Sequence, residues 1–207
     1  VDHLMTHRPG GQNEERSSRK QRQEEWRALQ EIYESGEARS IGVSHYCSQH
    51  IDDVLQVSNV VAPSINQVEY HVGTGHDQDS LIEKCRKHNI TFMSYSPLCG
   101  PCERSYSSDT TTSLTQGKLV SDIAAKYADH NVTSGAQVAL RFIVQQALQD
   151  AKVTGGMGGV IPRSNNFDHM LSNRALFHFT LSEEDMMQLA NATEPRDHPR
   201  VNDCDIP

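Results

Sequence analysis

Cys99 and Cys102 close the run TFMSYSPLCGPC at residues 91–102, at the spacing of a dithiol redox centre. Such a centre needs a helix starting at its first cysteine, because the positive end of the helix favours the thiolate. The residues after Cys102 read ERSYSSDTTTSLTQG, a Ser/Thr-rich stretch with little helix propensity, so the pair is read as two inert loop thiols. A second cluster, His45, Cys47 and His50 in HYCSQH, offers zinc-ligating side chains. A structural zinc site needs a closed set of four ligands, and no fourth stands at a matching spacing. The remaining chemistry-bearing residues sit where apolar, β-branched runs end: His7, Ser44 with His45, Asn66 with Gln67, Tyr95 with Ser96, and Arg163 with Ser164. If these runs are parallel strands, their ends share one edge of a sheet, the edge that carries the active site in a parallel barrel.

The elements that would position them alternate along the chain. VDHLMT, ARSIGVS, SINQVEY, ITFMSYS and GVIP read as strands, near residues 1, 39, 64, 90 and 159. Amphipathic helices stand between them. EEWRALQEIYESG places Trp26, Leu29, Ile32 and Tyr33 on one face and ends at Gly36. SQHIDDVLQVS follows, with Ser48 as N-cap, then DSLIEKCRKHN with a cationic end that suits the helix dipole. A polar loop runs to about Gly117, and KLVSDIAAKYADH and SGAQVALRFIVQQALQ are the next helices. NFDHMLSN and SEEDMMQLANA close the pattern, the last opened by a capping box from Ser182 to Asp185. This is a βα unit run five times, which predicts a parallel sheet with helices outside. No GxGxxG turn follows any strand, so a Rossmann dinucleotide site is not supported. GGMGG, at residues 155–159, reads as a flexible loop before the last strand.

Composition narrows the partners. The chain has 207 residues, a net charge of −8 and 36% hydrophobic residues, which suits a single α/β unit with much solvated helix surface. The acidic balance argues against nucleic acid, and the basic run Arg16–Arg22 reads as a solvated helix face between glutamates. No apolar run approaches the ~18 residues needed to span a membrane. The opening residues do not form a signal peptide, and the five cysteines are read as free thiols of a cytoplasmic protein.

HRPGG, IGVSHY, INQVEYH, MSYSPL and IPRSNN, in this order and at these intervals, resemble the second half of an aldo-keto reductase. The resemblance runs from VDHLMTHRPGG to TLSEEDMMQL. It implies an α/β fold of the (β/α)8 TIM-barrel type, incomplete, with strands 4 to 8 and their helices in one N-terminally truncated domain over residues 1–207. It also implies hydride transfer between NADP(H) and a small carbonyl substrate, without metal.

The resemblance assigns roles residue by residue. His7 matches the histidine that orients the substrate carbonyl; a neutral imidazole can donate a hydrogen bond to a developing alkoxide. Ser44 and Gln67 match residues that hold the nicotinamide carboxamide, a group wanting a donor and an acceptor, and His45 stands where the family usually has Asn. Tyr95 matches the aromatic platform under the nicotinamide, with Ser96 and Leu98 beside it at the cofactor. Arg163 and Ser164 match contacts to the adenosine 2′-phosphate, for which a guanidinium fork is suited. Asn165 and Asn166 cap the short helix beyond, Asn173 matches an adenine contact, and His169 stands where the family often has arginine.

The family's hydride chemistry uses an aspartate, a tyrosine, a lysine and a histidine, and His7 is the one of these four matched here. Two readings follow. The first is a nicotinamide-dependent carbonyl reductase read from an incomplete chain. The second is a catalytically inactive remnant that binds NADP(H) or a partner. Either way, the first and last strands would expose unpaired edges, so the chain alone is expected to self-associate.

Overall fold

The computed structural model describes residues 1–9, 18–74, 80–98, 114–150 and 156–192. Cys99, Cys102 and most of the polar loop before Gly117 lie outside them. Five strands form one parallel sheet in sequential order: β1 (Leu4–Thr6), β2 (Ile41–Ser44), β3 (Ile65–Glu69), β4 (Thr91–Tyr95) and β5 (Gly156–Ile161). The predicted βα order is thus observed, and β1 and β5 are the two edges of the sheet.

Register aligns the strand ends. Thr6 lies beside Val43, Ser44 beside Gln67, and Glu69 beside Tyr95, which in turn lies beside Ile161. Because all pairs are parallel, every segment that follows a strand leaves from the same edge.

The first helix, α1 (Arg19–Glu34), starts earlier than its apolar stripe suggests, because the Ser18 hydroxyl accepts the Gln21 N–H at 3.2 Å. Trp26 is buried, and its ring N–H donates to the Val61 carbonyl at 3.0 Å. Tyr33 is exposed, however, and the cap is Ser35, with Gly36 following at a positive φ of 79°. The basic run is not wholly solvated either. Arg22 is 1% exposed and its Nη2 pairs with Asp53 Oδ2 at 2.6 Å. That ion pair ties α1 to α2 (Ser48–Leu55), whose N-cap is Cys47 rather than Ser48.

The third helix, α3 (Leu81–Lys87), ends on Lys84, Arg86 and Lys87, as the dipole argument requires. The helices α4 (Lys118–Lys126) and α5 (Gly135–Asp150) come next, joined through a 3-10 turn at Ala128–His130. Asn89 and Asn131 both adopt left-handed backbone, at φ 58°, a conformation asparagine tolerates where one element turns into the next. Two shorter helices close the order, α6 (Phe167–Arg174) and α7 (Glu183–Ala190). The core lies between sheet and helices, around Val43, Phe92, Ile51, Val54, Val138, Phe142 and Ile143.

Two sequence expectations change here. GGMGG is largely strand, not loop: Gly158 is the extra residue of a bulge, since Phe92 pairs with Met157 and Met93 with Gly159. A Cβ on Gly158 would sit 2.0 Å from Thr91 Cγ2, so the strands approach closely there only because the residue is glycine. The Ser182–Asp185 box is also one-sided. Ser182 Oγ accepts the Asp185 N–H at 3.1 Å, but the Ser182 N–H goes to the Tyr127 hydroxyl at 2.8 Å. The Asp185 carboxylate instead accepts from Lys126 Nζ at 2.5 Å and the Tyr127 hydroxyl at 2.6 Å.

The cysteines also differ from expectation. Cys47 is disulfide-bonded, whereas Cys85 keeps its thiol, buried in the core.

Candidate functional site

The strand-end residues converge on His45. Immediately after β2 its backbone turns to φ 62°, a left-handed conformation rare for non-glycine residues, and this carries the imidazole across the sheet edge. Its Nδ1 lies 2.9 Å from the His7 carbonyl oxygen and 2.9 Å from Ser44 Oγ. Its Nε2 lies 2.8 Å from the Tyr95 hydroxyl. The His7 and His45 rings meet edge to face with centroids 5.5 Å apart, and His45 and Tyr95 are tilted at 4.9 Å.

The carbonyl of His7 can only accept, so Nδ1 of His45 carries the proton that bonds it. In the neutral ring Nε2 is then an acceptor and takes the Tyr95 O–H. Tyr95 is therefore held at the end of β4 by a histidine that follows β2, with β3 between the two strands, and its ring is half-buried.

Glu69 completes the group. Its Oε2 lies 3.3 Å from the Tyr95 hydroxyl, and β3–β4 register sets the two residues side by side. Glu69 is not among the strand-end residues singled out by sequence, although INQVEY contains the signal: Gln67 and Glu69 alternate onto one face of β3. Gln67 faces the same region, with its Nε2 3.9 Å from Met93 Sδ. Its side chain is half-buried, so its amide keeps capacity for a ligand that both donates and accepts.

Ser44 is 1% exposed, and its hydroxyl donates to the Gln67 carbonyl at 2.8 Å. It braces the site from behind rather than facing outward. Asn66 also turns inward: it is fully buried and its Nδ2 donates to the Tyr46 carbonyl at 2.8 Å. His50 accepts the Cys47 N–H at 3.3 Å through Nδ1, so His45 and His50 serve different partners.

Ser96 follows β4 at φ 47°, and Leu98 packs, partly buried, against the core. A second group forms beyond β5 at the same sheet edge. Ser164 Oγ accepts the Asn166 N–H at 3.1 Å, and Asn166 Oδ1 accepts the His169 N–H at 3.0 Å, making Asn166 the N-cap of α6. Asn165 is exposed and is not that cap. Arg163 and the His169 side chain are exposed, and Asn173 is half-buried on α6.

The arrangement thus offers, at one edge, an exposed imidazole at His7, a half-buried amide at Gln67, a flat phenol at Tyr95 and, one strand on, an exposed guanidinium. Comparison with known proteins follows the same line. The model of the aldo/keto reductase family matches residues 1–194. The chain belongs to the aldo/keto reductase family. The bovine (Bos taurus) protein named aldo-keto reductase family 1 member A1 is 34% identical over 166 residues, covering 80% of this chain and 46% of that relative. The 9,11-endoperoxide prostaglandin H2 reductase of Trypanosoma cruzi is 30% identical over 196 residues, covering 95% of this chain and 58% of its own length. This member therefore spans about half the length of the curated relatives it matches. A crystal structure of a Gox0644 mutant in complex with NADPH superposes with a TM-score of 0.72 at 26% identity, covering 99% of this chain and 63% of that one. Among the described residues, no helix is long and apolar enough to cross a membrane.

Proposed function

We propose that this aldo/keto reductase chain carries the cofactor-holding side of an NADPH-dependent carbonyl reductase. The observation that carries the reading is the convergence of Gln67, Tyr95 and His7 on one sheet edge, with Arg163 following β5 at that edge. These residues fit a nicotinamide nucleotide: an amide for the carboxamide, a phenol face for the ring and a guanidinium for the 2′-phosphate. When bound, the nicotinamide supplies the hydride. His7 would orient the carbonyl oxygen through its imidazole N–H. Ser44 would act through Gln67 and His45, since its own hydroxyl is committed to them. Ser164 and the Asn166-capped start of α6 would lie with Arg163 at the 2′-phosphate, Asn173 at the adenine and Leu98 along the cofactor's length.

We assign turnover to a polypeptide in which further βα units complete the barrel as strands 1 to 3, and cofactor binding without turnover to this chain alone. The sheet runs β1 to β5 in sequence and has β1 and β5 as its edges, where such units would pair. The competing reading, an inactive NADP(H)-binding remnant, draws on the same geometry, with His7 alone matching the family's four reacting side chains. Calorimetric titration of the 207-residue chain with NADPH and NADH tests the assignment. NADPH should bind more tightly, and Arg163→Ala should remove most of that preference, about tenfold or more for a charge-assisted contact of roughly 1.5–3 kcal/mol. Equal NADPH affinity in parent and variant would sink the role given to Arg163.

A further inference from the structure

Two acceptors compete for one hydroxyl hydrogen in this site. The Tyr95 O–H has His45 Nε2 at 2.8 Å on one side and Glu69 Oε2 at 3.3 Å on the other. A phenol has a single hydrogen to donate, and its oxygen can also accept. Meanwhile His45 Nδ1 stays committed as a donor to the His7 carbonyl at 2.9 Å, so any added proton must enter at Nε2.

We propose that His45 and Glu69 are positioning residues that hold Tyr95 through a proton-linked switch of its hydroxyl. With His45 neutral, Tyr95 donates to Nε2. When solvent delivers one proton to Nε2, His45 donates through Nε2–H to the Tyr95 oxygen. The hydroxyl then rotates and donates to the Glu69 carboxylate. One proton is taken up, no covalent bond other than the new N–H forms, and a positive imidazolium and a negative carboxylate end up bridged by a neutral phenol. Charge-assisted hydrogen bonds are roughly twice as strong as neutral ones, so the protonated state clamps the ring from both sides.

Among the described residues, the titratable groups seen against His45 are His7 from the end of β1, with its ring centroid at 5.5 Å, Tyr95 from β4 and, across the Tyr95 hydroxyl, Glu69 from β3. Arg8 follows His7 in the chain, while Ser44 and Gln67, from β2 and β3, carry no charge. Glu69 favours the imidazolium and a protonated His7 opposes it. The switch itself requires no cofactor. Its consequence does rest on the proposed function: an imidazolium beside the Tyr95 platform disfavours the cationic nicotinamide of NADP⁺ and leaves the neutral ring of NADPH untouched.

The test has two arms on the 207-residue chain. Nitrogen-15 NMR of the histidines without cofactor should show neutral His45 as the Nδ1–H tautomer. Its titration should move to lower pH in Glu69→Gln and move again in Tyr95→Phe, which keeps the ring and removes the bridge. An Nε2–H tautomer in the parent, or an unmoved His45 titration in both variants, would overturn the switch. In the second arm, the ratio of NADPH to NADP⁺ affinity should rise as pH falls through the His45 titration, and that rise should vanish in His45→Asn. A flat ratio with an intact NMR titration would leave the switch standing and refute the nicotinamide placement on Tyr95.

Discussion

Arg22 and Asp53 form an ion pair at 2.6 Å in which the Arg22 side chain is 2% exposed and that of Asp53 is 14% exposed. A second contact, from Arg22 Nε to the same Oδ2 at 3.0 Å, fixes the guanidinium. This pair fastens α1 to α2, immediately behind the segment that presents His45.

Removing either partner takes a direct counter-charge from a largely buried group, although Arg19 Nε still lies 3.6 Å from Asp53 Oδ1. Asp53→Asn and Arg22→Met should each destabilise the chain by about 3 kcal/mol, with the double variant Arg22→Met/Asp53→Leu recovering part of that loss. Urea unfolding followed by circular dichroism reads all three. Strict additivity in the double variant would show that the pair is not coupled.

Asp185 gives a pH prediction. Its burial acts to raise the carboxyl pKa, but hydrogen bonds from Lys126, Tyr127 and Ser182 outweigh it and hold the group below the usual range. A depressed folded value means that the unfolded chain binds the proton more readily. The stabilisation is therefore complete above the unfolded carboxylate value of about 3.9 and is lost as pH falls through the lower folded value. Asp185→Asn should lower the urea midpoint near neutral pH, and the gap to the parent should narrow in acid. A gap that widens in acid would contradict the assignment.

Gly158 should tolerate no side chain while Thr91 keeps its methyl group. Gly158→Ala would place Cβ 2.0 Å from Thr91 Cγ2 and should cost about 1–3 kcal/mol. Thr91→Ser removes that methyl, so the alanine should cost distinctly less in the serine background. Thermal melts of the four chains make the comparison.

Trp26 is the one tryptophan in the sequence, which makes the fold's α1–sheet contact directly visible. Buried at 1% exposure and bonded to Val61, it should emit at short wavelength and shift red on unfolding. Trp26→Ala should destabilise by about 3–5 kcal/mol, measured by circular dichroism.

The sheet edges predict association. Among the described residues no further strand pairs with the outer sides of β1 and β5, and such strand edges are a template for pairing between chains. Size-exclusion chromatography of the chain alone should show soluble self-associated species, and a clean monomer across a wide concentration range would refute this.

The order of strands and helices was legible in the sequence, because apolar runs of period two and stripes of period 3.6 are local signals that neighbours in the chain create. So were the strand-end residues His7, Ser44, Gln67, Tyr95 and Arg163, since each closes an apolar run. Local pattern could not say which of them point outward. Ser44 and Asn66 are polar residues at strand ends, yet both turn inward, because nearby carbonyls of Gln67 and Tyr46 accept their hydrogens. Arg22 reads as a charged surface residue until Asp53, 31 positions away, gives it a counter-ion. The capping box of Ser182 likewise looks complete in four residues, but Tyr127 supplies its return bond from 55 positions away. Glu69 and His45 meet over one phenol only because parallel register sets β3 beside β4 and a left-handed residue turns the chain after β2. Tertiary structure alone decided these pairings, since a hydrogen bond depends on distance in space and the sequence records only distance along the chain.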